Sequence, residues 1–153
     1  MFTVRPGTLT DVDAIAAHRR AMFSDMGHQD HAALDTMIAA FLPWVRQKMT
    51  QEEYLAWLAL SPDGSIVSGL GLWLMDWPPH MIGSGARRGN ILNVYTELPF
   101  RRQGIARQLM NVALDWCRAN GIRAVILHAS DNAQRLYDSL GFESTNEMRI
   151  LLE

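Results

Sequence analysis

Apolar positions recur along this chain at two spacings, and the changes from one spacing to the other mark out its elements. Residues 2–5 alternate and stop at Pro6-Gly7, which predicts a short first strand. Thr10 precedes an acidic first turn and the apolar positions Val12, Ile15, Ala16 and Met22, so a capped helix is expected over 11–23. Leu34, Met37, Ile38, Phe41 and Leu42 form the stripe of a second helix over 31–50, in which Pro43 is expected to cause a bend or a break.

Two apolar runs, 54–60 and 66–75, flank the turn sequence Ser61-Pro62-Asp63-Gly64 and predict an antiparallel hairpin. Trp77, Pro78, Pro79, Gly83, Ser84 and Gly85 interrupt the pattern as a loop before a strand over 89–96. Ile105, Leu109, Val112, Ala113 and Trp116 predict a helix over 104–120, which Gly121 ends. A buried strand over 125–127, a short helix over 132–140 and a last apolar strand over 142–151 complete the order β-α-α-β-β-β-α-β-α-β. That is an α/β (α+β) chain of about six strands and four helices, without repeat or linker, read as one domain over 1–153.

Composition narrows the function classes. With 153 residues, 48% of them hydrophobic, the chain suits one cored domain and is too short for two ordinary ones. A formal charge of −2 leaves no bulk positive field, so neither nucleic acid nor an anionic membrane is an expected partner. Cys117, the only cysteine, allows no internal disulfide and no thiolate cluster, which points to a reducing cytoplasm. The first residues carry no basic leader, and no apolar run is long enough to cross a bilayer.

The candidate chemistry concentrates in 93–107, Asn-Val-Tyr-Thr-Glu-Leu-Pro-Phe-Arg-Arg-Gln-Gly-Ile-Ala-Arg, where a strand passes through a loop into a helix. Gly104 lets backbone approach a ligand closely, and Ala106 keeps the first helical turn narrow. Unpaired N–H groups at the helix start, beside Arg101, Arg102 and Arg107, would suit a pyrophosphate. Arg-x-x-Gly-x-Ala after a strand resembles the acetyl-CoA motif of the GNAT superfamily. Residues 130–142, with Leu136-Tyr137 and then Gly141-Phe142, resemble its second block.

The resemblance implies a GNAT-type fold, a central mixed and mostly antiparallel sheet flanked by helices. It also implies acetyl-CoA as cosubstrate, with no metal. Val94, Tyr95 and Thr96 would hold the pantetheine arm as an added strand. Arg101, Arg102, Gln103, Gly104, Ile105, Ala106 and Arg107 would hold the pyrophosphate, and Tyr137 would place its hydroxyl at the coenzyme sulfur as acid. Asn132 or Arg135 would take over a contact that many relatives make with asparagine where this chain has Ser130. Ala106 stands in place of the commoner glycine.

The residues themselves leave the general base open among Asn93, Glu97, Asp25, His28, Asp30 and His31, each of which reads first as a solvated polar residue. His28, Asp30 and His31 also have the side chains of metal ligands, yet no further ligands cluster with them. His128 stands at a strand end, where a plain polar residue is as good a reading. Trp57, Trp73, Trp77, Pro78, Pro79 and His80 could wall an acceptor pocket or simply pack. The expected activity is acetyl transfer to a primary amine, read as that of a small molecule, in a ternary complex. A protein N-terminus or lysine, and an idle acyl-CoA sensor, are the alternatives. The apolar final strand points to a homodimer.

Overall fold

The computed structural model describes residues 1–83 and 85–153; Ser84, expected in a loop, lies outside the described residues. Five strands form one sheet in chain order: β1 (Thr3–Pro6), β2 (Tyr54–Leu60), β3 (Ile66–Asp76), β4 (Arg87–Thr96) and β5 (Val125–Leu127). Every neighbouring pair is antiparallel except β4 and β5, which run parallel. The helices are α1 (Val12–Asp25), α2 (His31–Thr50), α3 (Ile105–Ala119) and α4 (Gln134–Ser139). None is long and apolar enough to cross a membrane.

The two-residue period of β2 explains the layering. Trp57 and Ala59 belong to a core that α3 covers with Ile105, Leu109, Met110, Ala113 and Cys117. Tyr54 and Ala56, of the opposite parity, belong to a second core with Val12, Ile15 and Ala16 of α1 and Phe41 and Val45 of α2. The sheet therefore separates α3 from the α1–α2 pair. Leu109 is fully buried, and its truncation to alanine would cost about 2–5 kcal/mol.

Three expectations need correction. The cap before α1 comes from Thr8 and Asp11 rather than Thr10: the backbone N–H of Thr8 donates to Asp11 at 2.7 Å ahead of a 3-10 turn, Leu9–Asp11. Pro43 does not divide α2, which runs unbroken from His31 to Thr50. The strand expected over 142–151 is absent, leaving five strands instead of about six. Among the described residues no backbone hydrogen bond pairs 143–153 with any strand, and Met148, Ile150, Leu151 and Leu152 are exposed. An apolar run becomes a strand only where its main chain pairs with an edge, and among the described residues 143–153 make no such pairing, although the outer side of β5 is open.

Candidate functional site

The parallel pairing of β4 with β5 covers only Gly89 to Ile91, opposite Val125 to Leu127. Beyond Ile91 the strands diverge, so Leu92 to Thr96 presents an unpaired edge. A bulge sits in the same stretch: Gly71 pairs with Leu92 and Gly69 with Tyr95, leaving Asn93 and Val94 against Leu70 alone. Asn93 adopts the left-handed φ of 57° that this bulge requires. Val94 and Thr96 lie on that stretch of main chain, the Thr96 carbonyl being taken by Arg101.

The chain then passes through a 3-10 turn, Leu98–Phe100, into α3. Gly104 holds φ at 81° with open space where a Cβ would stand, a conformation that favours glycine. The N–H groups of Ile105, Ala106 and Arg107 have no acceptor among the described residues, whereas that of Gln108 returns to Gly104. Three free amides at the positive end of a helix dipole, beside a glycine with open space where a Cβ would stand, have the makings of an anion cradle. Arg102, Gln103 and Arg107 are exposed around it, and Arg107 donates to Ser139 on α4 at 2.7 Å.

Arg101 behaves otherwise. Its Nε–H donates to the Thr96 carbonyl at 2.7 Å, and its terminal nitrogen pairs with Asp25 at 2.6 Å, with the guanidinium against the Tyr95 ring. It is committed to tying the cradle loop to the end of α1, which leaves it few donors for a ligand.

Tyr137 is buried at 6% exposure, and its hydroxyl makes no hydrogen bond among the described residues. Burial raises its pKa, so the phenol keeps its proton at neutral pH. The Gly141-Phe142 pair fixes its place. The N–H of Phe142 donates to the Tyr137 carbonyl at 3.0 Å and that of Gly141 to Asp138 at 3.1 Å, with Gly141 at φ 94°. That is a Schellman end, and its hydrophobic contact is the edge-to-face packing of Phe142 on Tyr137. Ser130, Asn132 and Arg135 are exposed around the 3-10 turn Asp131–Ala133, ahead of α4.

On the α1 side of the bulge lies a polar cluster that sequence reasoning did not anticipate, apart from Asn93. Asn93 is buried; it accepts from Arg19 at 2.7 Å and donates to the Tyr54 hydroxyl at 2.9 Å. Full burial pushes the Tyr54 phenol up to about 12, so it stays neutral. Arg19 lies between the Phe23 and Phe41 rings without a carboxylate partner among the described residues. His18, also buried, packs on Tyr95, and burial lowers its pKa so that the imidazole is neutral at pH 7. His18, Tyr54 and Asn93 line a cavity of about 10 Å³, room for one water molecule.

The other base candidates are differently placed. Asp25 is held by Arg101, and Asp30 caps α2 by accepting from Ala33 at 3.1 Å. His28 packs on Phe23, His31 lies beside Arg20, and Glu97 is half-buried at the end of β4. His128 is exposed just past β5. Trp57 is buried against Trp116 and Trp73 packs on Trp44, so both belong to the cores rather than to a pocket wall. Trp77 and His80 line a separate groove beside the start of β4, with Arg88 stacked on Trp77.

The sequence model of the Acetyltransferase (GNAT) family matches residues 13–142. The chain superposes on a GCN5-related N-acetyltransferase from Ralstonia eutropha JMP134 with a TM-score of 0.93 and 32% identity, over 99% of each chain. A predicted acetyltransferase with acetyl-CoA from Clostridium acetobutylicum gives 0.88 at 23% identity, over 99% of this chain and 96% of that one. An aminoglycoside acetyltransferase from an uncultured soil metagenomic sample gives 0.69 at 21% identity, over 100% and 99%. A search of curated protein sequences finds no match.

Proposed function

This chain belongs to the Acetyltransferase (GNAT) family and is an acyltransferase, and from that premise we propose that residues 1–153 form one N-acetyltransferase domain that moves acetyl from acetyl-CoA to the primary amine of a small molecule. The observation that carries the reading is the opening of β4 from β5 after Ile91, directly before the free amides of Ile105 to Arg107. An extended arm ending in phosphates needs both at once: main-chain edge groups for its amides and an uncovered helix start for its anions. Bound there, acetyl-CoA supplies the acyl thioester.

In this reading Val94 and Thr96 align the arm, and Gly104, Ile105, Ala106 and Arg107 hold the pyrophosphate with Arg102 and Gln103 at its rim. Ser130, Asn132 and Arg135 lie along the coenzyme from the α4 side. Tyr137 keeps its proton until a thiolate departs and then gives it up, as its raised pKa allows. The acceptor approaches from the α1–α2 face, where His18 offers a neutral imidazole. Attack on the thioester acidifies the amine nitrogen, and His18 takes the released proton through a water in the cavity it shares with Tyr54 and Asn93. Transfer is direct, within a ternary complex.

The helices α1 and α2 close in the acceptor face, which favours a compact amine over a polypeptide. The likeness to an aminoglycoside acetyltransferase agrees with that choice of acceptor. The buried free thiol of Cys117 suits a reducing cytoplasm. Two measurements test the proposal. Acetyl-CoA at 100 times its dissociation constant should stabilise the domain by about 2.7 kcal/mol in a thermal scan. A panel of small amines, N-terminal peptides and lysine peptides should release free coenzyme A fastest with a small amine. No thermal shift would reject the coenzyme site, and stabilisation without turnover on any amine would leave a sensor domain.

A further inference from the structure

The polar cluster beside the β4 bulge holds His18, Tyr54 and Asn93 in neutral form, so Arg19 brings the charge to it. Its side chain is half-buried. Nη1 donates to the Asn93 side-chain oxygen at 2.7 Å, and the guanidinium carbon lies 5.0 Å from the Phe23 ring and 4.9 Å from that of Phe41. Nε is buried without a partner, and Nη2 makes no hydrogen bond among the described residues. Two ring faces offset part of the charge, but a guanidinium drawn partly out of water ordinarily meets a carboxylate.

The acids near Arg19 are committed elsewhere. On α1, Asp13 faces Arg46 at 3.9 Å and Asp25 pairs with Arg101 at 2.6 Å. On α2, Asp35 pairs with Arg20 at 2.7 Å, and Asp30 caps the helix by accepting from the Ala33 N–H. Glu97, past the end of β4, forms no ion pair among the described residues. The chain thus places a cation between α1, α2 and β4 and gives it no anion of its own.

The location gives that charge a use. Asn93, which Arg19 touches, sits in the bulge directly before Val94 to Thr96, the stretch that aligns the thioester arm in the reading above. His18, the proton acceptor of that reading, is the neighbouring residue of α1. A group held by Arg19 therefore lies on the acceptor side, beside the reacting atoms. We propose, resting on that reading, that the acceptor is a small primary amine carrying its own carboxylate or phosphate, and that Arg19 binds this oxyanion and so orients the amine. A guanidinium fork suits either group, and with one Nη1 N–H on Asn93 the remaining terminal N–H groups are available for it. Phe23 and Phe41 hold the fork without competing for its donors. The same charge makes a neutral or polycationic amine the poorer acceptor.

The experiment follows release of free coenzyme A with glycine, β-alanine and leucine, each beside its amide, and with phosphoethanolamine beside ethanolamine. It compares the parent with Arg19→Gln and Arg19→Lys. Acids and amides differ in amine basicity, so the quantity read is the ratio of kcat/KM for the anionic member over its neutral counterpart, variant against parent, in which that difference cancels. The ratio should fall about 10- to 100-fold in Arg19→Gln, the worth of a charge-assisted hydrogen bond. The fall should come mainly through KM, with acetyl-CoA affinity unchanged. Arg19→Lys keeps the charge without the fork, so its ratio should be intermediate; it also serves if circular dichroism shows the glutamine variant unfolded. The carboxylate and phosphate pairs tell which oxyanion is bound. Transfer with equal ratios in parent and variants would overturn this proposal and leave acetyl transfer standing. No release from any amine would overturn both together.

Discussion

Tyr137 and Phe142 are joined twice: the Phe142 N–H donates to the Tyr137 carbonyl at 3.0 Å, and their rings meet edge to face with centroids 5.9 Å apart. The backbone bond ends α4, while the ring contact limits where the phenol can point. A helix of only six residues would fray at its ends if left to itself. Its capping motif is what makes Tyr137 a fixed group.

Replacing Tyr137 with phenylalanine should therefore keep the fold and the coenzyme affinity while slowing the chemical step. General acids contribute about 10²–10⁴-fold, and a thiolate leaves readily, so a loss near the low end is expected. Single-turnover acetyl transfer, with acetyl-CoA affinity measured alongside, separates the two effects. Transfer as fast as in the parent would make the phenol a packing residue only.

At Gly104, valine has to hold a positive φ that costs an L-residue about 1–2 kcal/mol, and its branches would stand in front of the free amides. Acetyl-CoA affinity should fall by at least about 10-fold, which corresponds to 1.4 kcal/mol. Isothermal titration of a variant shown to be folded decides the matter, and unchanged affinity would empty the cradle of its role.

His18→Gln should lower turnover without weakening acetyl-CoA binding. The sign of its pH dependence follows from burial, which lowers the His18 pKa below the ordinary histidine value. The neutral, proton-accepting form then persists to more acid pH, and activity falls only as pH drops through that lowered value. A turnover profile for the parent should show this acid limb, and the variant should lack it. Identical limbs in both proteins would assign the proton to another acceptor.

Asp11 accepts from Arg5 at 2.8 and 2.9 Å and from the Thr8 backbone, and the Arg5 hydrogen bonds are the main reason its pKa falls to about 2. Because the folded value is depressed, the stabilisation is complete above the unfolded value near 4 and is lost as pH falls towards 2. Asp11→Asn should cost about 1–2 kcal/mol near neutral pH, the scale of a lost cap, and should flatten the loss between pH 4 and 2. Urea unfolding across that range measures both, and a variant with the parent's acid slope would assign the slope to other carboxylates.

Much of the architecture was legible in residue order because its causes are local. Helical spacing placed α1, α2 and α3, the Ser61-Pro62-Asp63-Gly64 turn placed the β2–β3 hairpin, and Gly104 and Gly141 stand at two of the positions where the backbone turns left-handed. The anion cradle could be read for the same reason, since a loop, a glycine and a helix start are adjacent in the chain. The cluster of His18, Arg19, Tyr54 and Asn93 could not. Its members come from α1, β2 and β4, and Asn93 meets Tyr54 across 39 residues and Arg19 across 74. Nor does residue order tell that Arg101 spends its charge on Asp25, or that Trp57 and Trp73 face the cores. Least of all could it decide residues 142–151. Alternation and apolar character describe what a segment can pair with, but a strand exists only where its main chain pairs with an edge, and that is settled by where the rest of the chain has folded.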